Sequence, residues 1–271
     1  MLTIVFTVEN NKKGGKMLIG KVVINGKISV KTGLRIGGTT TGLKIGGVDT
    51  PVIKDALGKP YIPGSSLKGK LRSLIEKKEG VVFNKEGIHQ CDTYDKYKEC
   101  AVCRIWGILG NKNLKGLTLT RLIVRDTLLD ERSITKEMQK NLELEYTEVK
   151  MEIAIDRYKG TVLEGSLRSM ERIPAGAVFA PLEIVYNVFE EDDKGILIKL
   201  FEAMELLEQD YLGGMGSRGY GKIKFENLKI YWNTKQSYES GNINITQIND
   251  SEIDTPEKIV KNFEKIKEKI K

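Results

Sequence analysis

The segment HQCDTYDKYKECAVC, residues 89–103, holds the only histidine and all three cysteines of a 271-residue chain. Isolated thiols in a protein interior behave as small hydrophobes and have no reason to cluster. Here His89 and Cys91 precede a Cys100-x-x-Cys103 pair, whose spacing lets two thiolates grip one tetrahedral ion. His89, Cys91, Cys100 and Cys103 together form a complete Cys3His set for zinc. The intervening DTYDKYKE is polar and charged, so metal rather than burial is expected to order it. A disulfide between two of the cysteines would leave the third cysteine and the histidine unexplained. Four protein ligands leave no open position for water, which makes this zinc structural rather than catalytic.

With its histidine committed, the chain has no imidazole for two-histidine acid–base cleavage of RNA. Nuclease chemistry would need a carboxylate, with a divalent cation such as Mg2+. Asp49 in GGVDTP lies on a glycine-rich loop just before Pro51, a place suited to a turn-forming aspartate as well as to a catalytic one. GSSLKGKL, residues 64–71, nearly matches a Walker phosphate loop, but Leu71 stands where a hydroxyl must hold magnesium, so nucleotide hydrolysis is rejected. What remains is a helix N-terminus with Ser65, Ser66, Lys68, Lys70 and Arg72, fit for a phosphate or for no more than an ordinary capped surface helix. GGMGSRGYG, residues 213–221, has the spacing of a dinucleotide fingerprint at Gly214, Gly216 and Gly219, yet its glycines leave a helix and enter a strand, the reverse of that motif. Its glycines permit close backbone approach to a polyanion, with Arg218 for phosphate and Tyr220 for stacking. A glycine C-cap and tight turn is the plainer account, and it uses one or two of them.

The elements that must position these residues follow from periodicity. Residues 1–16 read as an appendage ending in the polar joint ENNKKGGK, with Met17 as an alternative start. MLIGKVVINGKISVKTGL alternates as β structure, turning at Asn25-Gly26. YIPGSSLKGKLRSLIEKKE predicts a helix with Ser65 or Ser66 as N-cap and Leu67, Leu71, Leu74 and Ile75 on one face. Residues 80–116 form the insertion that carries the metal ligands, LTLTRLIVRDTLL returns to strand, and residues 131–172 mix helix and hairpin signals. AVFAPLEIVYNVF, GILIKLFEAMELLEQDY and KIKFENLKIYW then read as strand, amphipathic helix and strand. The resulting β-α-β-β-α-β order predicts an α+β fold with a ferredoxin-like core over residues 17–232. Residues 233–254 read as a polar linker. A last helix over 255–271 has Thr255 as N-cap and Pro256 in its first turn, and its stripe of Ile259, Val260, Phe263, Ile266 and Ile270 is expected to dock on the body or on a neighbour. Net charge is +7, from 44 Lys+Arg against 37 Asp+Glu, which suits nucleic acid or simply a solvated Lys/Glu surface. Without a basic n-region or eighteen consecutive apolar residues, the chain is expected to be soluble and cytoplasmic, with no membrane partner.

Taken in order, TGLRIGG, VDTPVIKDALGKPYIPGSSLKGKLRSLIE, RLIVRD, YTEVKMEIAIDR, RIPAG and LLEQDYLGGMGSRGYGKIKFENL resemble the backbone-subunit family of type III-A CRISPR effectors, subunit three of the Csm complex in the RAMP superfamily. The likeness covers roughly residues 17–232, and the backbone subunit of the sister III-B (Cmr) complex is a near neighbour. It implies a modified RNA-recognition fold whose copies stack into a filament along a guide RNA (crRNA), beside other Csm subunits. A thumb-like hairpin from each copy would separate short guide–target segments, and target RNA would be cut once per subunit in a metal-dependent step. On this likeness Asp49 is the catalytic residue, positioning a divalent cation or taking the proton of a ribose 2′-OH that attacks the adjacent phosphate. Guide-strand contacts fall on Lys44, Lys54, Ser65, Ser66, Lys68, Arg72, Gly214, Gly216, Arg218 and Tyr220, and thumb contacts on Arg157 and Arg168. Arg35 stands where family members often carry histidine, so it serves either RNA grip or the active site. The zinc insertion corresponds to a lid that varies across the family. The alternatives are a non-catalytic crRNA-binding scaffold, of III-A or III-B type, in which Asp49 only shapes its loop, and a guide-processing nuclease, which the missing free histidine disfavours.

Overall fold

The computed structural model describes residues 18–38, 48–109, 114, 119–244 and 246–271. The readings made for residues 1–16, Met17 and Lys44 lie outside the described residues. Gly20–Val30 (β1) is the central strand, with Val22, Ile24 and Ile28 fully buried. It pairs with Val178–Val188 (β7) on one side and Ile223–Thr234 (β8) on the other, and Leu122–Val124 (β3) pairs with the far side of β7. All these pairings are antiparallel, in the order β3-β7-β1-β8. Helix Gly64–Glu79 (α1) connects toward β3, and Ile198–Gln209 (α6) lies between β7 and β8 in the chain. This is the predicted β-α-β-β-α-β core, in which two split βαβ units interleave their strands.

The apolar faces of the two helices explain their placement. Leu67, Leu71 and Ile75 from α1 join Leu200, Phe201, Met204 and Leu207 from α6 in one core with the sheet residues Val22, Ile24, Ile184, Tyr186 and Ile230. Each fully buried side chain of this kind contributes roughly 1.5–3 kcal/mol relative to exposure. Two short ladders flank the core. Tyr61–Ile62 (β2) pairs with Thr127–Leu128 (β4), and Glu148–Glu152 (β5) pairs with Arg168–Arg172 (β6). RIPAG begins at the last residue of β6 and leads toward β7, and before β5 stands the short helix Lys136–Gln139 (α4).

Several local expectations are corrected by tertiary context. Asn25-Gly26 does not turn: β1 runs straight through it, and the ladders to both neighbours shift register around Gly26–Lys27 as a bulge. A strand paired on both sides cannot fold back on itself, and a methyl group on Gly26 would press into Leu228. Neither Ser65 nor Ser66 caps α1. Pro63 is the N-cap, and the helix is capped from outside, Gly64 N–H donating to Asp126 Oδ1 at 2.7 Å. The stretch 233–254 is no bare linker. It contains Lys235–Glu239 (α7), and Asn249, 4% exposed, accepts from Ile230 N and donates to the carbonyls of Leu228 and Ile253. It therefore closes the outer edge of β8, which would otherwise stand unpaired. The final helix breaks at Asn262 into Pro256–Lys261 (α8) and Phe263–Lys267 (α9). Its stripe docks on the body: Ile259, Phe263, Ile266 and Ile270 are buried, and the Phe263 ring lies 6.4 Å from that of Phe201.

A buried charge network ties the metal-ligand insertion to this core. The insertion folds as two helices, Tyr94–Glu99 (α2) and Ala101–Trp106 (α3). Arg104 of α3 and the fully buried Arg121 both donate to Asp193 Oδ1, at 2.5 and 3.1 Å, and Arg121 also donates to the hydroxyl of Tyr97. Asp193 begins the short helix Asp193–Ile196 (α5), and its Oδ2 accepts from the amides of Phe189 and Glu190. Removing one partner of such a pair strands the others without water. Asp193→Ala is expected to cost about 3–5 kcal/mol of folding stability, measured by guanidinium denaturation.

Candidate nucleic-acid interface and metal centre

Four chain segments converge on Asp49. Residues 33–38 run beside residues 50–53, Ile53 N–H donating to Ile36 O and Gly38 N–H to Pro51 O. Residue 34 bridges to Ile173 beyond β6, and Thr50 bridges in parallel to Met170 within it. From the other side the glycine loop donates Gly214 N–H to Arg35 O and Gly221 N–H to Gly33 O. Asp49 itself is exposed, and its partner is Ser169 at the start of β6. Asp49 Oδ2 accepts from Ser169 N–H at 2.7 Å and from Ser169 Oγ at 3.0 Å, while Asp49 N–H donates to the same Oγ. The Ser169 amide, followed by its hydroxyl, holds the Asp49 carboxyl below the usual carboxylate range. Both bonds fall on Oδ2, so among the described residues Oδ1 has no hydrogen-bond partner and is open to a ligand. Two residues along β6, Glu171 is buried at 1% exposure. It accepts from Val52 N–H, from Thr147 Oγ1 and, across an ion pair of 2.6 Å, from Lys54.

Beyond Asp49 the β5–β6 ladder continues outward through a bridge between Ile155 and Val162. Met151, Ile153, Ile155, Tyr158, Val162, Leu163 and Leu167 along this projection are exposed large hydrophobics. Its root encloses a cleft of about 460 Å³ lined by Lys150, Glu152, Arg157, Arg168 and Arg218 with three apolar residues. Glu152 Oε1 accepts from Tyr220 Oη at 2.9 Å, and Oε2 receives Arg218 at 3.3 Å. Burial raises the Glu152 carboxyl, but the Tyr220 hydroxyl and the charges of Lys150, Arg218 and Arg168 outweigh it and hold the group low. The carboxylate is therefore an internal counterion in a cleft whose other charges are positive.

The structure sorts the expected RNA contacts. Arg157, Arg168 and Arg218 share the open cleft, and Lys150, unmarked in sequence, joins them. Ser65 is exposed on the first turn of α1. Tyr220 is corrected: it is 2% exposed, with Lys150 and Arg172 within 5.0 Å of its ring centre, so no base can stack on it. Lys68 is half-buried and donates to Leu122 O at 2.9 Å, burial depressing its ammonium. Lys54 is paired to Glu171, and Arg72 is part-buried, each of its three nitrogens donating within the protein, to Glu76 and to two carbonyls. The glycines of 213–221 also serve the chain itself. Gly213 has φ +78°, and a methyl there would overlap Arg35 O, while Gly216 lies flat on the Tyr211 ring. Arg35 lies against Gly37 and Gly214, with Nε buried and unpartnered among the described residues. Nothing local in the sequence marks Ser169, Glu171 or Glu152, because each acts on a segment at least 24 positions away.

The Cys3His set assembles as predicted: one donor atom from each of His89, Cys91, Cys100 and Cys103 lies within 4.8 Å of the others, so the group can hold a metal ion. A tetrahedron with Zn–S of about 2.3 Å has edges of about 3.8 Å, which this spacing accommodates. His89 Nδ1 donates to Val82 O at 2.9 Å, which turns Nε2 toward Cys100 Sγ at 3.3 Å. Donation from the Cys103 thiol, with help from His89, holds Cys100 at about 4, while burial pushes Cys91 up to about 11 and the bond to Cys100 raises Cys103. A cation at the centre is what allows all three to be thiolates together. The expectation that DTYDKYKE has no core of its own is corrected in one residue. Tyr97 is 1% exposed and packs with Cys91 and Cys103 in a small satellite cluster.

Ser169→Ala removes the weaker of the two donors to Asp49 and keeps the amide, so the Asp49 pKa should rise part of the way toward 3.8, read by NMR titration of its carboxyl carbon. Because the folded pKa lies below the unfolded one, the stabilisation from these bonds is present above the unfolded value and lost as pH falls through the folded one. The variant should narrow that acid window from below.

The RAMP superfamily model matches residues 27–224. A Methanocaldococcus jannaschii protein named CRISPR system Cms endoribonuclease Csm3 is 44% identical over 254 residues, covering 92% of this chain and 95% of that protein. A Streptococcus thermophilus protein of the same name is 37% identical over 218 residues, covering 79% and 90%. Among solved structures, the crystal structure of the Csm3–Csm4 subcomplex in the type III-A CRISPR-Cas interference complex holds a chain 32% identical to this one. It aligns with a TM-score of 0.56 over 92% of this chain and 97% of that one. The chain belongs to the RAMP superfamily and, within it, to the Csm3 family.

Proposed function

We propose that this chain is a crRNA-binding backbone subunit of a cytoplasmic type III-A effector, stacking with copies of itself and with other Csm subunits, and cutting target RNA at Asp49. The observation that carries this reading is an exposed carboxylate fixed at the foot of a projecting apolar hairpin, beside a cationic cleft. Free cations near a polyanion release counterions and supply most of the affinity. Arg157 and Arg168 would take backbone phosphates, Arg218 and Lys150 would do so only in exchange for their pairing with Glu152, and the apolar hairpin would act as the thumb that holds the displaced base apart from its neighbours. Ser65 and Ser66 at the N-terminus of α1 would add neutral phosphate contacts.

Cleavage would use the ribose 2′-oxygen as nucleophile: its proton passes to water as it bonds to the adjacent phosphorus, and the 5′-oxygen leaves, taking a proton from water, to give a cyclic 2′,3′-phosphate and a 5′-hydroxyl, a route that restricts the substrate to RNA. Ser169 keeps Asp49 ionised and a poor base, so the residue's role is to position a cation and the reacting phosphate rather than to accept the proton. A hard divalent ion such as Mg2+ is commonly held by one or two carboxylates together with substrate phosphates, a set that Asp49 Oδ1 and a bound RNA would complete. When bound, the ion would neutralise charge developing on the phosphate. Arg35, whose Nε is buried beside the glycine loop, would serve either RNA grip or the active site. The rival reading, a scaffold in which Asp49 only shapes the loop, draws on the same bonds to Ser169. The reading of the Cys3His set is a structural zinc that orders the lid.

The deciding experiment offers the assembled complex a labelled RNA complementary to its guide, in magnesium and in EDTA. Wild type should give a ladder of regularly spaced cuts, and Asp49→Ala should lower cleavage about 100-fold or more with target binding intact. An unchanged ladder would leave only the scaffold. Separately, metal analysis of the purified chain should find about one zinc per chain, and correctly folded protein without it would remove the zinc assignment.

A further inference from the structure

Arg72 was expected at the RNA, yet every arm of its guanidinium is engaged elsewhere. Nε donates to Glu76 Oε1 at 2.6 Å, Nη1 to Gly107 O at 2.8 Å and Nη2 to His89 O at 2.7 Å. The two carbonyls are not arbitrary. His89 is the first metal ligand, and Gly107 is the C-cap of α3, its own N–H returning to Cys103 O at 3.0 Å. One planar fork on α1 thus grips both ends of the segment that contains all four ligands. Glu76, 8% exposed and one turn along the same helix, holds the fork in orientation. The His89 ring is fixed independently, through Nδ1 to Val82 O.

We infer that Arg72 is the positioning residue of the metal centre, setting its affinity by closing the ligand segment before the ion arrives. The inference rests on the reading of the Cys3His set as a zinc site. Ion binding must otherwise order the polar stretch from His89 through α2 against the held helix α3, and the entropy of closing that loop would be subtracted from the affinity. A rigid five-donor fork can hold two carbonyls in one geometry, which an ammonium cannot do. The carbonyl at His89 belongs to a ligand residue itself, so a shift there moves the backbone that carries the ring and works against the ring's own bond to Val82 O. Tethers of this kind, one bond beyond the ligands, typically change metal affinity 10- to 100-fold.

The test uses the full chain as wild type, Arg72→Gln, Arg72→Lys and Glu76→Gln. Zinc affinity is read by competition with the chromophoric chelator 4-(2-pyridylazo)resorcinol, and site geometry by the visible absorption of the cobalt-loaded protein. Arg72→Gln should weaken zinc about 10- to 100-fold, and Arg72→Lys should fall between it and wild type. Glu76→Gln, which leaves both carbonyl bonds in place, should stay near wild type. The tetrahedral thiolate–cobalt spectrum should persist in all four at saturating metal, and crRNA affinity at saturating zinc should be unchanged in Arg72→Gln. Folded Arg72→Gln or Arg72→Lys protein with wild-type zinc affinity would overturn the inference, as would loss of crRNA affinity without loss of zinc affinity. Should Arg72→Gln fail to fold, Arg72→Lys carries the same comparison. A wild-type chain that takes up no zinc would overturn the metal reading itself, an outcome distinct from a wild type that binds zinc no better than its variants.

Discussion

The buried carboxylate of Glu171 sets the geometry on which the candidate site depends. A charge at 1% exposure is tolerated only when its lone pairs are filled. Here they are filled by Val52 N–H, the Thr147 hydroxyl and the Lys54 ammonium, donors from two segments far apart in the chain. Its backbone N–H adds a bond to Thr50 O. Glu171 therefore cannot be buried unless the loop after Asp49 and the approach to β5 are both in place. Along β6 side chains alternate, so Ser169 lies on the same side as Glu171, and it reaches Asp49 when Glu171 reaches Val52. One desolvated charge thereby fixes the loop, and the loop fixes the exposed carboxylate.

A second consequence concerns which cations remain for RNA. A basic side chain already paired with a buried carboxylate or a carbonyl contributes little to counterion release. Lys54, Lys68 and Arg72 belong to that class, and each stabilises the scaffold around the site. Arg157, Arg168 and Lys150 line the cleft, with Glu152 at 11% side-chain exposure beneath them. Glu152 keeps Arg218 and Tyr220 turned toward the hairpin, so the cleft has its shape before any phosphate enters. An incoming phosphate competes with a carboxylate instead of ordering a loose cluster, and the ordering cost is met by the fold.

What could be seen in the sequence, and what could not, divides by range. The ligand set was legible because histidine and cysteine are rare in this chain and adjacent in number, and the ferredoxin-like order because hydrophobic period survives in short windows. The same locality misled at Asn25-Gly26, where a good turn dipeptide sits in a strand paired on both sides. Ser65 and Ser66 looked like caps because nothing nearby reveals that Asp126, 62 positions away, caps the helix. Tyr220 looked free to stack because its partner Glu152 lies 68 positions away. In each case a local preference was overruled by a partner that only the folded chain supplies.

The metal insertion shows how far a bound ion is needed once tertiary contacts are counted. Val102, Ile105 and Trp106 of α3 belong to the main core, and Arg104 reaches the buried Asp193, so the second half of the insertion is held without any ion. The first half, from His89 to α2, contributes only Cys91 and Tyr97 to burial. A metal ion held by this set would therefore add order where apolar burial ends. Because Cys100 is at once the C-cap of α2 and the N-cap of α3, the ion would sit at the hinge between the held half and the unheld one. A metal at that junction would act locally: it would join a short polar stretch to a core that already exists, unlike the small domains whose whole fold depends on the ion.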